Sequence, residues 1–324
     1  MEHPFLGWID AQRPDLRRAG RRPAVPQQGL IVAAFGRHYT LETEDGQRVQ
    51  AHARGKRNEA VVGDRVNWNT TQGGGETQAV IESVQPRRNL MHRQDLMRTK
   101  SFAANLDQVL MLVASQPLFS ESQLTRAMVA AEAADIELVI VLNKTDLPDA
   151  PLARERLKPY AAMGTPVLEL SVKHGREDSL RQLTPLLSGR TTLLLGASGT
   201  GKSSLVNLLL PQAQSRVGEL SQALQAGRHT TTHTLWHWLD DRRAGALIDS
   251  PGFQEFGLQQ VPAADLALHM RDFRPLLGQC RFHNCQHRLE PDCAITGAVA
   301  EGRISAQRHR IYLEILQELQ AQRW

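Results

Sequence analysis

The first stretch of the chain, Met1 to Gln28, shows no helical or strand period and carries Arg13, Arg17, Arg18, Arg21 and Arg22 among three prolines. It reads as a tail that is disordered in the free protein, or as a basic arm that orders on RNA. From Leu30 to Val84 the pattern becomes β. Leu30 to Phe35 is apolar, Tyr39 to Thr43 and Arg48 to Ala53 alternate, and Glu44-Asp45-Gly46-Gln47 between them is a hairpin turn. Arg65 to Trp68 and Ala79 to Val84 are further strands, and Thr70 to Glu76, with three consecutive glycines, is expected to be a flexible loop. About five short strands in so little chain predict a small barrel of the oligonucleotide-binding (OB) type.

Beyond it, apolar runs alternate with segments of helical spacing. Asn105 to Ala114, Ile136 to Leu142, Val167 to Leu170 and Leu193 to Leu195 have the continuous apolar character of buried parallel strands. Ser120 to Ala134, Leu152 to Met163 and Leu180 to Leu187 read as helices between them, with Ser120 as N-cap. Alternation over this length predicts a doubly wound α/β domain. From Ile304, the spacing of Ile311, Tyr312, Ile315, Leu316 and Leu319 predicts an amphipathic helix.

Length and composition narrow the class. The 324 residues, 41% of them apolar, allow two or three domains with a sizeable core. No apolar run is long enough to span a bilayer, and no secretory signal is read at the N-terminus, so a cytoplasmic protein without membrane contact is expected. The net charge of +4 favours an anionic partner only weakly; its placement matters more. Arg54, Lys56, Arg57 and Arg65 lie along the predicted barrel, with Arg87, Arg88, His92 and Arg93 after it. A solvated surface is the bland reading; on a small barrel, RNA contact is the preferred one.

The chemistry is concentrated in fixed spacings. Gly196-Ala197-Ser198-Gly199-Thr200-Gly201-Lys202-Ser203-Ser204 follows an apolar strand and opens a helix, as the phosphate-binding pattern G-x-x-x-x-G-K-[ST] requires. Glycines bring backbone N–H groups and a helix N-terminus to a polyphosphate, Lys202 can reach its β- and γ-phosphates, and Ser203 can ligate Mg²⁺. Asn143-Lys144-Thr145-Asp146 follows a second buried strand. Asp146 can accept from the N1–H and 2-amino groups of guanine, which adenine lacks. Asn143 can bond the other edge of the base and Lys144 can cover its face. Ser171-Val172-Lys173 stands where a GTPase places the loop that touches the guanine carbonyl oxygen.

Leu247-Ile248-Asp249-Ser250-Pro251-Gly252 is a strand ending in D-x-x-G, with Asp249 toward Mg²⁺ and the Gly252 N–H toward the γ-phosphate. Among Thr230, Thr231 and Thr232 of the preceding loop, Thr231 is taken to complete the Mg²⁺ shell. Phe253 occupies the position where Ras-like enzymes carry a water-orienting glutamine. His229 is the nearest group that could serve; a plain loop or RNA-contact role stands beside that reading. The guanine motif precedes the phosphate loop, so the domain is circularly permuted, which surface termini permit.

All three cysteines fall in Cys280, Cys285, His287 and Cys293, spaced C-x₄-C-x-H-x₅-C. Three thiolates and an imidazole form a closed tetrahedral set for a structural Zn²⁺, with His283 as competitor to His287. Arg281, His283 and Arg288 could face RNA.

Taken together, G-A-S-G-T-G-K-S-S, G-R-H-T-T-T, D-S-P-G-F, the permuted N-K-T-D and the cysteine motif resemble the bacterial ribosome small-subunit-dependent GTPase A family (RsgA, also called YjeQ), from about Gln28 to the end. The resemblance implies an OB barrel, a permuted GTPase domain and a C-terminal zinc domain. It implies a late-acting small-subunit assembly factor, binding rRNA, whose GTPase is stimulated by the mature subunit, and it maps the family's proposed catalytic histidine onto His229. S-V-K replaces the usual S-A-K, a change of no consequence where the backbone makes the contact. The expected organisation is an arm at 1–27, the barrel at 28–95, the GTPase domain at 96–260 and the zinc domain at 261–324, in a monomer that binds GTP and GDP. Two other readings are a phosphate-loop ATPase, which N-K-T-D argues against, and an RNA-binding module that keeps GTP as a structural ligand, to which Phe253 gives weight.

Overall fold

A computed structural model describes residues 27–54, 59–73, 76–95, 98–211, 234–250 and 258–321. Five strands, β1 (Gln27–Phe35), β2 (His38–Thr43), β3 (Arg48–Ala53), β4 (Arg65–Gly73) and β5 (Glu76–Val84), pair in the order β1-β2-β3-β5-β4. β4 returns to β1, from Gln27 opposite Trp68 to Leu30 opposite Arg65, and closes the barrel. Only β3 and β5 run parallel among these pairings. Alternate residues point inward and fill it: Ile31, Tyr39, Leu41, Ala51, Val66, Trp68 and Ile81.

Of the loop expected at Thr70 to Glu76, the described residues 70–73 and Glu76 are instead ladder. Thr70 pairs with Ala79 and Gly73 with Glu76. Its polar residues hid it, because ladder bonds join backbones and threonine suits a strand however wet its face. A second hairpin, β6 (Leu90–Asp95) and β7 (Arg98–Ala104), also escaped the sequence reading for lack of an apolar alternation. It leans on the barrel through Val62 and Ala103.

The α/β domain contains β8 (Gln108–Ala114), α1 (Glu121–Ala133), β9 (Glu137–Asn143), α2 (Ala150–Ala162), β10 (Val167–Glu169), α3 (Arg176–Leu187), β11 (Thr191–Gly196), α4 (Lys202–Leu209), β12 (Leu235–Trp238) and β13 (Ala246–Asp249). The strands order as β10-β9-β8-β11-β13-β12, all parallel except β12. Val109, Met111 and Ile140 face one apolar layer with α1 and α2; Leu110, Leu112, Val141 and Leu194 face the other with α3 and α4. Burial on both faces explains the unbroken apolar runs. Chain order reverses between β8 and β11, which opens a crevice at the carboxyl ends of the strands. Ser120 caps α1, its hydroxyl accepting from the Gln123 N–H at 3.3 Å.

After β13 come two 3₁₀ turns (Leu266–His269 and Arg274–Leu276), then α5 (Ala294–Ala300) and α6 (Ala306–Ala321). The apolar stripe expected on the tail is buried along α6, at Ile311, Tyr312, Ile315, Leu316 and Leu319. Arg308 of α6, 1% exposed, forks onto Asp272 at 2.6 and 2.8 Å and reaches Thr125 Oγ1 of α1 at 3.1 Å. Glu132 of α1 pairs with Arg271 and Arg274. The C-terminal part thus docks on α1 through charged pairs. Among the described residues no helix is long and apolar enough to cross a membrane.

Candidate active site and metal centre

β11 ends at Gly196 and α4 begins at Lys202, so Ala197–Gly201 must turn sharply between sheet and helix. Gly201 has φ +97°, and a Cβ there would collide with the Asn143 amide. Glycine is required on both counts. Thr200, buried, tightens the turn by donating from Oγ1 to the Ala197 carbonyl at 2.8 Å, while Ser198 and Gly199 stay exposed. Ser203 and Ser204 are exposed on the first turn of α4, where backbone N–H groups lack partners within the helix. Lys202 Nζ lies 2.7 Å from Asp249 Oδ1 at the end of β13, both side chains 10% exposed. A cation and a carboxylate therefore converge beside the turn, where a polyphosphate and its counterion would need them.

Asn143, the last residue of β9, joins three loops. Its Nδ2 donates to the Thr200 carbonyl at 3.0 Å, and its Oδ1 accepts from the Val172 N–H at 3.1 Å. Lys144 sits at φ +61°, and its carbonyl accepts from Ser115 Oγ at 2.7 Å. Its ammonium donates to the Gln116 carbonyl at 2.6 Å, which lays the side chain across the loop after β8. Thr145 bonds the Leu170 carbonyl through both N and Oγ1. Asp146 is thereby presented at the surface, Oδ1 accepting from Ser171 Oγ at 2.6 Å and Oδ2 lying 3.8 Å from His174 Nε2. The Ser171 hydroxyl, chief among several donors and cations, holds the Asp146 carboxyl below the usual carboxylate range.

The roles of Ser115, Gln116 and Thr145 were missed by sequence reasoning; each of these contacts ends on a backbone carbonyl, which no residue type announces. His229, Thr231, Gly252 and Phe253 lie outside the described residues, as do Lys56 and Arg57. Arg65 is exposed at the start of β4. Arg54 is also exposed, but its guanidinium is held by both Glu82 oxygens at 2.9 and 2.7 Å. Arg87 forks onto the buried Asp64, and Arg88 pairs with Asp107. Among the described residues, Arg54, Arg87 and Arg88 are therefore internally compensated.

The donor atoms of Cys280, Cys285, His287 and Cys293 all lie within 4.8 Å of one another. His287 Nδ1 is 3.5 Å from both Cys280 Sγ and Cys293 Sγ, and those two sulfurs are 3.9 Å apart. Edges of roughly 3.6–3.8 Å are those of a tetrahedron drawn at zinc–sulfur and zinc–nitrogen bond lengths. The exposed His283 is not part of the cluster. Burial pushes the Cys285 thiol up to about 12, so a bound cation is what would make it a thiolate at neutral pH. The loop is braced from α6: His309 Nε2 is 2.7 Å from the His287 carbonyl, and Tyr312 donates to the Gln286 carbonyl at 3.0 Å.

Comparison with known proteins follows the same lines. The RsgA GTPase family profile matches residues 84–259. Over 318 residues the chain is 48% identical to the small ribosomal subunit biogenesis GTPase RsgA of Variovorax paradoxus, covering 96% of this chain and 98% of the relative. The Burkholderia pseudomallei (strain K96243) protein of the same name is 49% identical over 311 residues, covering 93% and 98%. Among solved structures, YjeQ from Thermotoga maritima is similar with a TM-score of 0.67 at 29% identity, covering 91% of this chain and 99% of that one. YloQ, described as a circularly permuted GTPase, gives 0.66 at 25%, covering 95% and 99%.

Proposed function

The chain belongs to the RsgA GTPase family, and from that premise we propose that it hydrolyses GTP in the biogenesis of the small ribosomal subunit. The observation that carries the nucleotide reading is Asn143, which ties the phosphate loop, the guanine motif and the serine loop into one crevice. Such bridging has no purpose in a plain strand-to-helix turn.

In this reading the backbone of Gly196 to Gly201 and the Lys202 ammonium hold the β- and γ-phosphates. Asp146 accepts from the two guanine donors, the stem of Lys144 covers the base, and Asn143 holds the loops around it. The backbone of the Ser171–Lys173 loop meets the base's carbonyl oxygen, the Val172 N–H being already given to Asn143 Oδ1. Ser203, Asp249 and Thr231 are the residues that would hold Mg²⁺, which when bound neutralises charge on the phosphate oxygens. His229 is the group we assign to the attacking water. Lys202 stabilises charge on the phosphoryl group as the bond to its leaving oxygen lengthens. The Gly252 N–H senses the γ-phosphate.

Cys280, Cys285, His287 and Cys293 would hold a structural Zn²⁺; all four tetrahedral positions are protein donors, so none is left for a reacting water. The barrel (28–95) and zinc module (261–324) flank the GTPase domain (96–260) as rRNA-binding parts of a cytoplasmic monomer. The five-stranded closed barrel supports that reading, with Arg65, Lys56 and Arg57 ahead of the internally paired Arg54 as phosphate contacts.

The test is a pair of measurements. GTP turnover should rise on adding mature small subunits, and Asp146→Asn should exchange guanine for xanthine nucleotide, losing roughly 2–4 kcal/mol of GTP affinity. Unstimulated and negligible turnover would favour a module that keeps GTP only as a ligand; unaltered base choice would remove Asp146 from the site.

A further inference from the structure

Leu235 belongs to two ladders. On one edge its backbone pairs with Ala33 of β1, on the other with Asp249 of β13. Barrel and nucleotide domain therefore share one sheet. With strands about 4.8 Å apart, the barrel wall stands two spacings from the carboxylate that meets Lys202.

A single backbone pair would be a weak joint, and a buried carboxylate reinforces it. Glu42 of β2 is 4% exposed. Its Oε1 accepts from Trp238 Nε1 at 2.7 Å, and Arg243 Nη1 lies 3.5 Å from the same oxygen. Its Oε2 accepts from Arg48 Nε at 3.1 Å. Trp238 closes β12 and Arg243 lies in the turn to β13, so one barrel side chain holds the β12–β13 hairpin by two points. Arg243 also stands 6.0 Å over the Trp238 ring and packs against Gly46 of the β2–β3 turn, where any Cβ would strike its guanidinium. An ionised carboxylate is costly to bury unless it is fully partnered, and an apolar contact would have served mere adhesion. What the indole bond adds is direction: it fixes the hairpin's depth and tilt against the barrel.

We propose that Glu42 is a positioning residue for GTP hydrolysis: from the barrel, through Trp238 and Arg243, it fixes the β12–β13 hairpin and so the place of Asp249 beside Lys202. The inference rests on the GTPase reading above. The phosphate loop and the guanine motif hang from β11, β9 and β10 rather than from this hairpin, so Glu42 governs turnover and its cation dependence, with little hold on nucleotide affinity.

Three variants of the full chain test it: Glu42→Ala, Glu42→Gln and Trp238→Phe. GDP affinity measured without Mg²⁺ should stay within about twofold of wild type in all three. Glu42→Ala and Trp238→Phe should lower kcat about tenfold or more and raise the Mg²⁺ concentration for half-maximal turnover, because a displacement on the order of 1 Å at a catalytic group has effects of that size. Glu42→Gln keeps an acceptor for the indole and should recover most of the loss. The proposal is overturned if Glu42→Ala turns over within about twofold of wild type with the same Mg²⁺ dependence, if GDP affinity falls in step with kcat, or if the Gln variant is as impaired as the Ala variant. Wild type is assayed beside every variant; a wild-type chain without turnover would overturn the GTPase reading itself.

Discussion

The Asn143 amide donates to the Thr200 carbonyl at 3.0 Å, so the guanine motif grips the phosphate loop that follows it by more than fifty residues. The same side chain accepts from Val172 N–H. Both bonds are buried. Asn143→Ala should leave an unpaired carbonyl and an unpaired N–H in the crevice wall, each costing about 1–3 kcal/mol. GTP and GDP affinities should fall together by tenfold or more, because the residue acts on the shared loops and not on the γ-phosphate. Equilibrium binding of both nucleotides checks this; a loss confined to GTP would place Asn143 in a different role.

Asp146 carries a pH prediction. The Ser171 hydroxyl at 2.6 Å is the largest contributor to its depressed pKa, with His174 and Lys173 adding a little. In the proposed site guanine bonds the Asp146 carboxylate, so binding should persist as pH falls until it passes through that lowered value. Removing the hydroxyl in Ser171→Ala lets the pKa rise toward the ordinary range, and the loss of affinity then begins at higher pH. GDP affinity followed from about pH 7 down to about pH 3, with folding monitored alongside, should show the acid limb displaced upward in the variant, toward the ordinary aspartate value of about 4. Superimposed limbs would mean that another group sets the ionisation.

How much of this could be read from the chain depends on what carries each feature. The phosphate loop and N-K-T-D are local strings whose chemistry demands residue types at set spacings, and both lie at the strand ends where the apolar pattern put them. The cysteine motif is equally local. The strands β6, β7 and β12 were missed because polar or very short segments form ladders through backbone groups alone. Lys144 on the Gln116 carbonyl, and Glu42 on Trp238 at a separation of 196 residues, are invisible for a different reason. Nothing near either residue in sequence names its partner; only the closed barrel and the permuted sheet order bring them together.

Arg308 and Asp272 give a prediction about stability. The guanidinium is 1% exposed, forks onto Asp272 and lies 5.2 Å over the Tyr160 ring. Asp272→Ala would strand a buried cation between α6 and α1 and should destabilise the docked C-terminal part by about 3–5 kcal/mol. Arg308→Met combined with Asp272→Leu removes both charges while filling the space, and should cost far less. Denaturation followed by a probe on α6 distinguishes them; equal losses would mean that packing volume, and not the unpaired charge, sets the penalty.

The metal loop leads to the last prediction. Between Cys280 and Cys293 its two large apolar side chains both face solvent, Phe282 at 41% and Leu289 at 94% exposure. The loop has no core of its own, so an ion held by the four donors, together with α6, which meets the loop through His309 and Tyr312, would supply its folding energy. α6 in turn docks on α1, which also borders the sheet that carries the nucleotide loops. Cys285→Ser or strong chelation should therefore loosen the loop and its hold on α6, while the phosphate loop and the guanine motif, secured within the α/β sheet, still bind GDP. On the proposed function, turnover stimulated by the small subunit should fall much further than intrinsic turnover, because stimulation would draw on the pose of the C-terminal module, whereas intrinsic chemistry would use only the crevice. GDP affinity, intrinsic rate and stimulated rate are measured on one sample whose zinc content is assayed. Full stimulation in metal-free protein would reduce the module to a passive cap and defeat the coupling.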